Sequence, residues 1–148
     1  MSDIKQVIVI RKDLNMRKGK IAAQSSHACM KIFFDQLNPR FKKIEFKSTG
    51  LFGGTYQLLG DFEGWLIPNK PYFKEYINGA FKKICLYVNS EQELLSLYEQ
   101  AKEKGIHTCL ITDSGLTEFN GVATNTCIAI GPWDAKEIDE ITGKLPLL

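Results

Sequence analysis

The sequence lacks several features that would mark it for a particular class of protein. Its four cysteines form no Cys-x-x-Cys pair, which argues against a zinc knuckle or a thioredoxin-like site. No apolar run approaches the roughly 20 residues that span a bilayer, and the first residues show no signal-peptide pattern. The Gly-x-x-x-x-Gly-Lys-Ser/Thr pattern of a Walker loop is absent, which argues against a nucleotide-binding site of that kind. We therefore expect a soluble, cytoplasmic protein with reduced cysteines, and we expect neither a membrane nor a metal nor a cofactor among its partners.

The composition is that of a folded domain, but the charge is unevenly distributed. Hydrophobic residues make up 44% of the 148 residues and charged residues 24%, which is typical of a single globular domain. The net charge of +2 conceals a basic first third: residues 1–48 carry 11 Lys/Arg and 4 Asp/Glu, and residues 49–148 carry 8 and 13. This asymmetry favours a surface that faces a polyanion. A solvated basic face without a partner explains it equally well.

Hydrophobic periodicity predicts alternating strands and helices. Gln6–Ile10 is a β-branched run typical of a strand covered on both faces, and a helix is predicted over 20–37. Further strands are predicted over 82–88, 108–112 and 125–130, and helices begin at the capping signatures of Ser90 and Asp134. This order predicts one three-layer α/β domain over residues 1–148.

The segment at about 41–81 interrupts this regular pattern. It contains six glycines, two prolines and many aromatic residues, so we expect a folded insertion or lid rather than a linker. Within it, residues 41–47 and 55–59 are predicted to pair as a hairpin, and residues 72–77 to form a short helix after Pro71.

Polar residues follow two of the predicted strands, at 11–19 and 112–117. Ligands of such sheets usually bind beyond the carboxyl ends of parallel strands. Basic residues at 17–20 open the first helix, where free N–H groups suit a phosphate or an oxyanion, and helical spacing aligns Lys20, Gln24, His27 and Lys31. These patterns alone leave open a solvated basic cluster, a structural histidine and a turn-capping Asp113.

Four segments together resemble the type 2 peptidyl-tRNA hydrolase family, the archaeal and eukaryotic kind. They are QVIVIRKDLNM from Gln6, KGKIAAQSSHA from Lys18, LITDSGLT from Leu110, and 124–132 taken with 138–148. The resemblance implies an α/β/α fold with a mixed four-stranded central sheet, a homodimer, and hydrolysis of the ester between a peptidyl group and tRNA. The segment at about 41–81 is longer than the family pattern, which puts substrate preference in doubt.

The resemblance also implies roles for particular residues. Lys20, Asp113, Thr117 and Thr126 match the family's catalytic positions, and Lys18, Gln24, His27 and Thr124 match supporting positions. We expect Lys20 to stabilise an oxyanion or bind the terminal phosphate, Asp113 to orient Lys20 or position water, and the two threonines to hold substrate or water. His27 is the alternative general base. The expected tRNA track comprises Arg11, Lys12, Arg17, Lys18, Lys31, Arg40, Lys42 and Lys43.

Two rival functions remain open at this point. One is a non-catalytic member of the same fold that binds tRNA or a protein partner through the 41–81 segment. The other is an esterase that acts on a smaller acyl or aminoacyl substrate. The joint presence of Lys20, Asp113, Thr117 and Thr126 favours an enzyme, because a binding module has no need for all four.

Overall fold

The chain alternates strands and helices in the order that its hydrophobic periodicity predicts. A computed structural model describes residues 3–36 and 72–148. These residues form β1 (Ile4–Arg11), α1 (Lys18–Gln36), α2 (Phe73–Asn78), β2 (Lys83–Val88), α3 (Glu91–Glu103), β3 (Thr108–Asp113), β4 (Thr124–Asp134) and α4 (Ala135–Thr142). Short 3₁₀ turns follow β1 at Lys12–Leu14 and precede β4 at Phe119–Gly121.

The four strands form one mixed sheet in the order β2-β1-β4-β3, as the resemblance implies. Strands β1 and β2 are parallel, and β4 is antiparallel to both β1 and β3. The carboxyl ends of β1, β2 and β3 therefore meet the amino end of β4 at one edge. This topology brings the two polar segments at 11–19 and 112–117 to the same edge of the sheet.

Helices cover both faces of the sheet, which gives the predicted three layers. Strand β1 is buried almost throughout, as its unbroken apolar run predicts. Its residues Val7 and Val9 pack with α3 and α4, whereas Ile8 and Ile10 pack with α1. The α1 face also contains Met16, Ala28, Ile32, Cys109, Ile111, Cys127 and Ala129.

The helices on the second face begin at the predicted caps. The Ser90 hydroxyl accepts a hydrogen bond from the Glu93 N–H, and the Asp134 carboxylate accepts from the N–H groups of Lys136 and Glu137. The capping box at α3 differs in one respect from the standard pattern: the Glu93 carboxylate accepts from the N–H of Asn89 at 2.8 Å. Both caps satisfy backbone donors that have no partner within the helix.

The end of the unusual segment contributes to the core. The predicted short helix is confirmed as α2, whose Phe73 and Tyr76 are buried. The rings of these two residues lie 5.0 and 6.3 Å from the ring of Phe33 on α1, so α2 extends the α1 layer. The hairpin predicted from 41–47 and 55–59 lies outside the described residues.

All four cysteines are free, as the sequence predicts. Cys109 and Cys127 are buried, and burial raises the pKa of their thiols to about 11 and about 12. Cys29 and Cys85 are half-buried. Because thiols with such high pKa values carry almost no thiolate at neutral pH, Cys109 and Cys127 serve as packing groups.

Residues 3–36 and 72–148 contain neither a membrane-spanning helix nor a metal-binding cluster. None of the helices in these ranges is long and apolar enough to cross a membrane. Within the same ranges, no group of three or more His, Cys, Asp and Glu side chains is arranged to hold a metal ion.

Candidate active site

Three of the predicted catalytic residues meet at the shared edge of the sheet. Lys20 lies in the first turn of α1, and its ammonium donates to the Asp113 carboxylate at 2.7 Å and to the Thr117 hydroxyl at 3.1 Å. The side chains of Lys20 and Asp113 are only 12% and 14% exposed. An ammonium has three N–H donors, and these contacts use two of them. The third is available to an oxygen of a bound substrate.

Two buried side chains, those of Gln24 and Thr126, support the Lys20–Asp113 pair. The side-chain N–H₂ group of Gln24 donates to the oxygen of Asp113 that also accepts from Lys20, at 3.0 Å. The side-chain oxygen of Gln24 accepts from the Thr126 hydroxyl at 2.6 Å. Because the hydroxyl proton of Thr126 occupies the amide oxygen, the amide N–H₂ group is turned toward Asp113. Gln24 is 1% exposed and Thr126 is 0% exposed. Thr126 thus contacts Gln24, and its expected direct contact with substrate or water stays a prediction.

A bulge in β4 makes the Thr126 contact possible. Ile111 pairs with Cys127 and Thr112 pairs with Asn125, so Thr126 is an extra residue without a partner in β3. Side chains of consecutive strand residues normally alternate between the two faces. Here the Thr126 hydroxyl and the Cys127 thiol both donate to Gln24, one to its side chain and one to its backbone carbonyl. The bulge therefore re-aims Thr126 toward α1.

The turn after β3 fixes the remaining oxygen of Asp113. That oxygen accepts a hydrogen bond from the N–H of Gly115 at 2.9 Å. Gly115 has a φ of +80°, and a Cβ atom at this position would lie 2.4 Å from the carbonyl oxygen of Val122. Only glycine fits both the conformation and the close approach. Both carboxylate oxygens of Asp113 are consequently held in place before any substrate binds.

The predicted basic residues divide into paired and unpaired groups. Four of them have an acidic partner: Arg11 with Asp13 and Glu91, Arg17 with Glu118, Lys20 with Asp113, and Lys31 with Asp35. Lys12 and Lys18 are exposed and have no acidic partner among residues 3–36 and 72–148. Arg40, Lys42 and Lys43 lie outside the described residues. The free positive charge near the site thus resides on Lys12 and Lys18.

The other two predicted residues lie apart from the cluster. His27 is exposed on α1, seven residues beyond Lys20 and thus about 10 Å further along the helix axis, and it has no hydrogen bond to the cluster. The Thr124 hydroxyl donates to the carbonyl of Val122 in the loop that precedes β4. The role of His27 as an alternative general base therefore stays a prediction.

Comparison with known proteins identifies the family to which this arrangement belongs. A family model described as "Peptidyl-tRNA hydrolase PTH2" matches residues 4–148. The chain belongs to the PTH2 family. The peptidyl-tRNA hydrolase of Methanopyrus kandleri is 37% identical over 144 residues, or 97% of each chain. That of Methanothermobacter thermautotrophicus is 36% identical over 145 residues, covering 98% of this chain and all of the relative.

A eukaryotic relative of this PTH2 chain extends beyond the shared domain. The "Probable peptidyl-tRNA hydrolase 2" of Drosophila melanogaster is 32% identical over 146 residues. The alignment covers 99% of this chain and 62% of the fly protein. The family resemblance stated from four short motifs is therefore confirmed across nearly the whole length of the chain.

The contacts of Asp113 determine its charge state in this PTH2 chain. The hydrogen bond from Lys20 lowers the pKa of the Asp113 carboxyl, with further lowering by Gly115 and Gln24, against an opposing effect of burial. A lowered folded-state pKa means that the stabilisation is present above the unfolded pKa and is lost as pH falls through the folded pKa. Asp113 is thus ionised at neutral pH. Because both of its oxygens are occupied, it is better suited to hold Lys20 than to accept a proton.

This charge state predicts the titration of Asp113. In carbon-13 NMR of the carboxyl groups, we expect the Asp113 midpoint below the ordinary value of 3.8. In Lys20→Ala the midpoint rises, because the largest cause of the lowering is removed. Gln24→Leu serves as the matched comparison and gives a smaller rise. An unchanged midpoint in Lys20→Ala would contradict the assigned contact.

Several residues of the site were not among those predicted from the sequence. Gly115 follows Asp113-Ser114 in a turn-like pattern, and its required positive φ was open to prediction from that pattern. Glu118 pairs with Arg17 across 101 positions, and the Phe119 ring centre lies 5.6 Å from the Lys20 ammonium. A polar network that joins Arg11, Glu91, Asn125 and Thr112 also lies at this edge. These pairs join residues far apart in the sequence, so they depend on the tertiary arrangement of the strands and loops.

Proposed function

We propose that this chain hydrolyses the ester that joins a peptidyl group to the terminal ribose of tRNA, without a metal ion. The observation that carries the proposal is the prearranged contact of Lys20 with Asp113 and Thr117 in a chain of the PTH2 family. Its relatives are named for this activity. The remaining donor of Lys20 is the group best placed to meet negative charge that develops on a substrate.

The chemistry assigned to the site is direct attack by water. The water oxygen bonds to the acyl carbon, and the carbonyl electrons move onto oxygen to give a tetrahedral oxyanion. The Lys20 ammonium stabilises this oxyanion, and it needs little reorganisation because Asp113 and Thr117 already hold it. The bond to the ribose oxygen then breaks. One proton of the attacking water passes to the ribose oxygen, the other is released to solvent, and peptide carboxylate and free tRNA leave. No serine or cysteine nucleophile is required.

The substrate's phosphates are assigned to the unpaired lysines. Phosphate contacts dominate the affinity of proteins for nucleic acids and make it fall with rising salt concentration. Lys12 and Lys18 offer positive charge that no acidic side chain in residues 3–36 and 72–148 neutralises. We further propose a cytoplasmic homodimer, which rests on the family resemblance alone.

The test is release of labelled peptide from a peptidyl-tRNA, with the same tRNA carrying a free aminoacyl group as comparison and with a chelator in parallel. We expect rapid release of peptide, slower release of the free amino acid, and rates unaffected by the chelator. No release from either tRNA, together with retained tRNA binding, would establish the non-catalytic rival. Preferred cleavage of small acyl esters would establish the esterase rival. A rate abolished by the chelator would overturn the metal-independent mechanism.

A further inference from the structure

A pocket of about 290 Å³ lies beside the first turn of α1, on the β1 side of that turn. It is lined by Ile10, Arg11, Lys12, Asn15, Met16, Ile21 and Leu148. None of these residues belongs to the Lys20–Asp113 cluster. Because β1 and β3 lie on opposite sides of β4 in the sheet, the pocket and Asp113 lie on different sides of the start of α1.

The lining combines an apolar interior with a polar rim. Ile10 is fully buried, Met16 is 7% exposed, and the side chains of Ile21 and Leu148 complete the apolar part. Lys12 and Asn15 are exposed at the rim. A flat group with apolar faces and hydrogen-bonding edges, such as a nucleobase, matches this distribution. The volume is near the lower limit of about 300 Å³ for small-molecule sites, which suits a single nucleoside.

The charge at the rim favours an anionic ligand. Lys12 has no acidic partner among the described residues, and its ammonium lies 4.1 Å from the centre of the Tyr87 ring. The neighbouring Arg11 is instead neutralised by Asp13 and Glu91. Lys12 is therefore the cation at this pocket that is free to bind a phosphate.

Among the described residues, nothing covers the backbone at Gly19, between the pocket and the catalytic pair. Gly19 lies between Lys18 and Lys20 in the first turn of α1, and a Cβ atom there would meet no atom of residues 3–36 and 72–148 within 4 Å. Ile21 lines the pocket and the preceding residue, Lys20, donates to Asp113, so both contacts are made from the start of α1.

We infer that this pocket binds the 3′-terminal base of the tRNA substrate, with Lys12 contacting its phosphate, so that the ribose ester lies over Gly19 beside Lys20. This inference rests on the proposed function and assigns a subsite to it. It gives Ile21, Met16 and Leu148 a role in binding that is separate from the chemistry at Lys20.

Methyl NMR of the methionines tests the inference without requiring catalysis. The chain has three methionines, of which Met16 lines the pocket and Met30 is 57% exposed on α1. On addition of the trinucleotide 5′-CCA-3′, we expect a saturable shift of the Met16 methyl signal and no shift of Met30. An N-acetyl amino acid amide, which mimics the peptidyl group, leaves Met16 unchanged. A shift caused only by the amide, or by neither ligand, overturns the inference.

Two variants supply an independent readout. Leu148→Trp narrows the pocket from an exposed position, and we expect at least a fivefold rise in the Kd for the trinucleotide and in the KM for peptidyl-tRNA, with kcat nearly unchanged. Lys12→Ala raises the Kd for the trinucleotide and the KM for peptidyl-tRNA similarly. Lys136 is an exposed lysine on α4, and Lys136→Ala changes neither constant.

The two proposals fail separately. An active wild-type chain whose KM is unaffected by Leu148→Trp overturns the subsite alone. A wild-type chain that binds the trinucleotide at Met16 but releases no peptide overturns the proposed function alone.

Discussion

Replacing Lys20 by alanine lowers kcat for peptidyl-tRNA hydrolysis by a factor on the order of 10²–10³, the usual effect of losing one oxyanion donor. The ammonium is held by Asp113 and Thr117 before substrate arrives, so its loss is felt mainly in the transition state. Single-turnover rates of peptide release measure the effect. Circular dichroism establishes that the variant is folded.

Lys18→Ala is the matched control for this experiment. Lys18 lies in the same helical turn, but it is exposed and has no contact with Asp113. We expect it to raise KM through weaker phosphate binding and to change kcat little. Asp113→Asn retains the shape of the side chain but removes the charge that holds Lys20, and kcat falls by a comparable factor to that for Lys20→Ala. Wild-type turnover in Lys20→Ala would disprove the role assigned to the ammonium.

Replacing Gly115 by alanine disrupts both stability and activity. The added Cβ would lie 2.4 Å from the Val122 oxygen in a backbone with φ of +80°. The chain must therefore move the loop that holds Asp113. Strain and displacement together cost about 2–4 kcal/mol, which lowers Tm by roughly 5–15 °C in a domain of this size. Calorimetry measures the first effect and peptide release the second, where we expect a loss of at least about tenfold.

Gly121→Ala separates the steric conflict from the backbone strain. Gly121 has a similar φ of +75°, but a Cβ atom there would meet no described residue within 4 Å. We expect this control to cost only about 1 kcal/mol and to leave the hydrolysis rate nearly unchanged. Equal losses of stability and activity in Gly115→Ala and Gly121→Ala would mean that the close approach to Val122 is not what requires glycine at position 115.

The sequence predicted the parts of the fold that depend on local patterns. The unbroken apolar run of β1 and the capping signals at Ser90 and Asp134 are short-range features, and each was confirmed. The shared location of the polar segments after β1 and β3 followed from the strand order, since parallel strands place their carboxyl ends at one edge of the sheet.

The support beneath the catalytic pair could not be read in the same way. Helical spacing placed Gln24 in a polar row with His27 and Lys31, yet Gln24 is buried and the other two are exposed. Spacing alone gives no information about which side of that row faces β4. That depends on the bulge at Thr126, which no propensity encodes, and on the pairing of residues about 100 positions apart.

The extra residue in β4 also restricts where the chain can lose a residue. Loss of one residue between Thr124 and Cys127 would restore regular alternation. The threonine hydroxyl would then point to the α3 face, and Gln24 would lose the group that orients its amide. A deletion of one residue at this point would therefore leave the sheet paired but remove the support of Asp113.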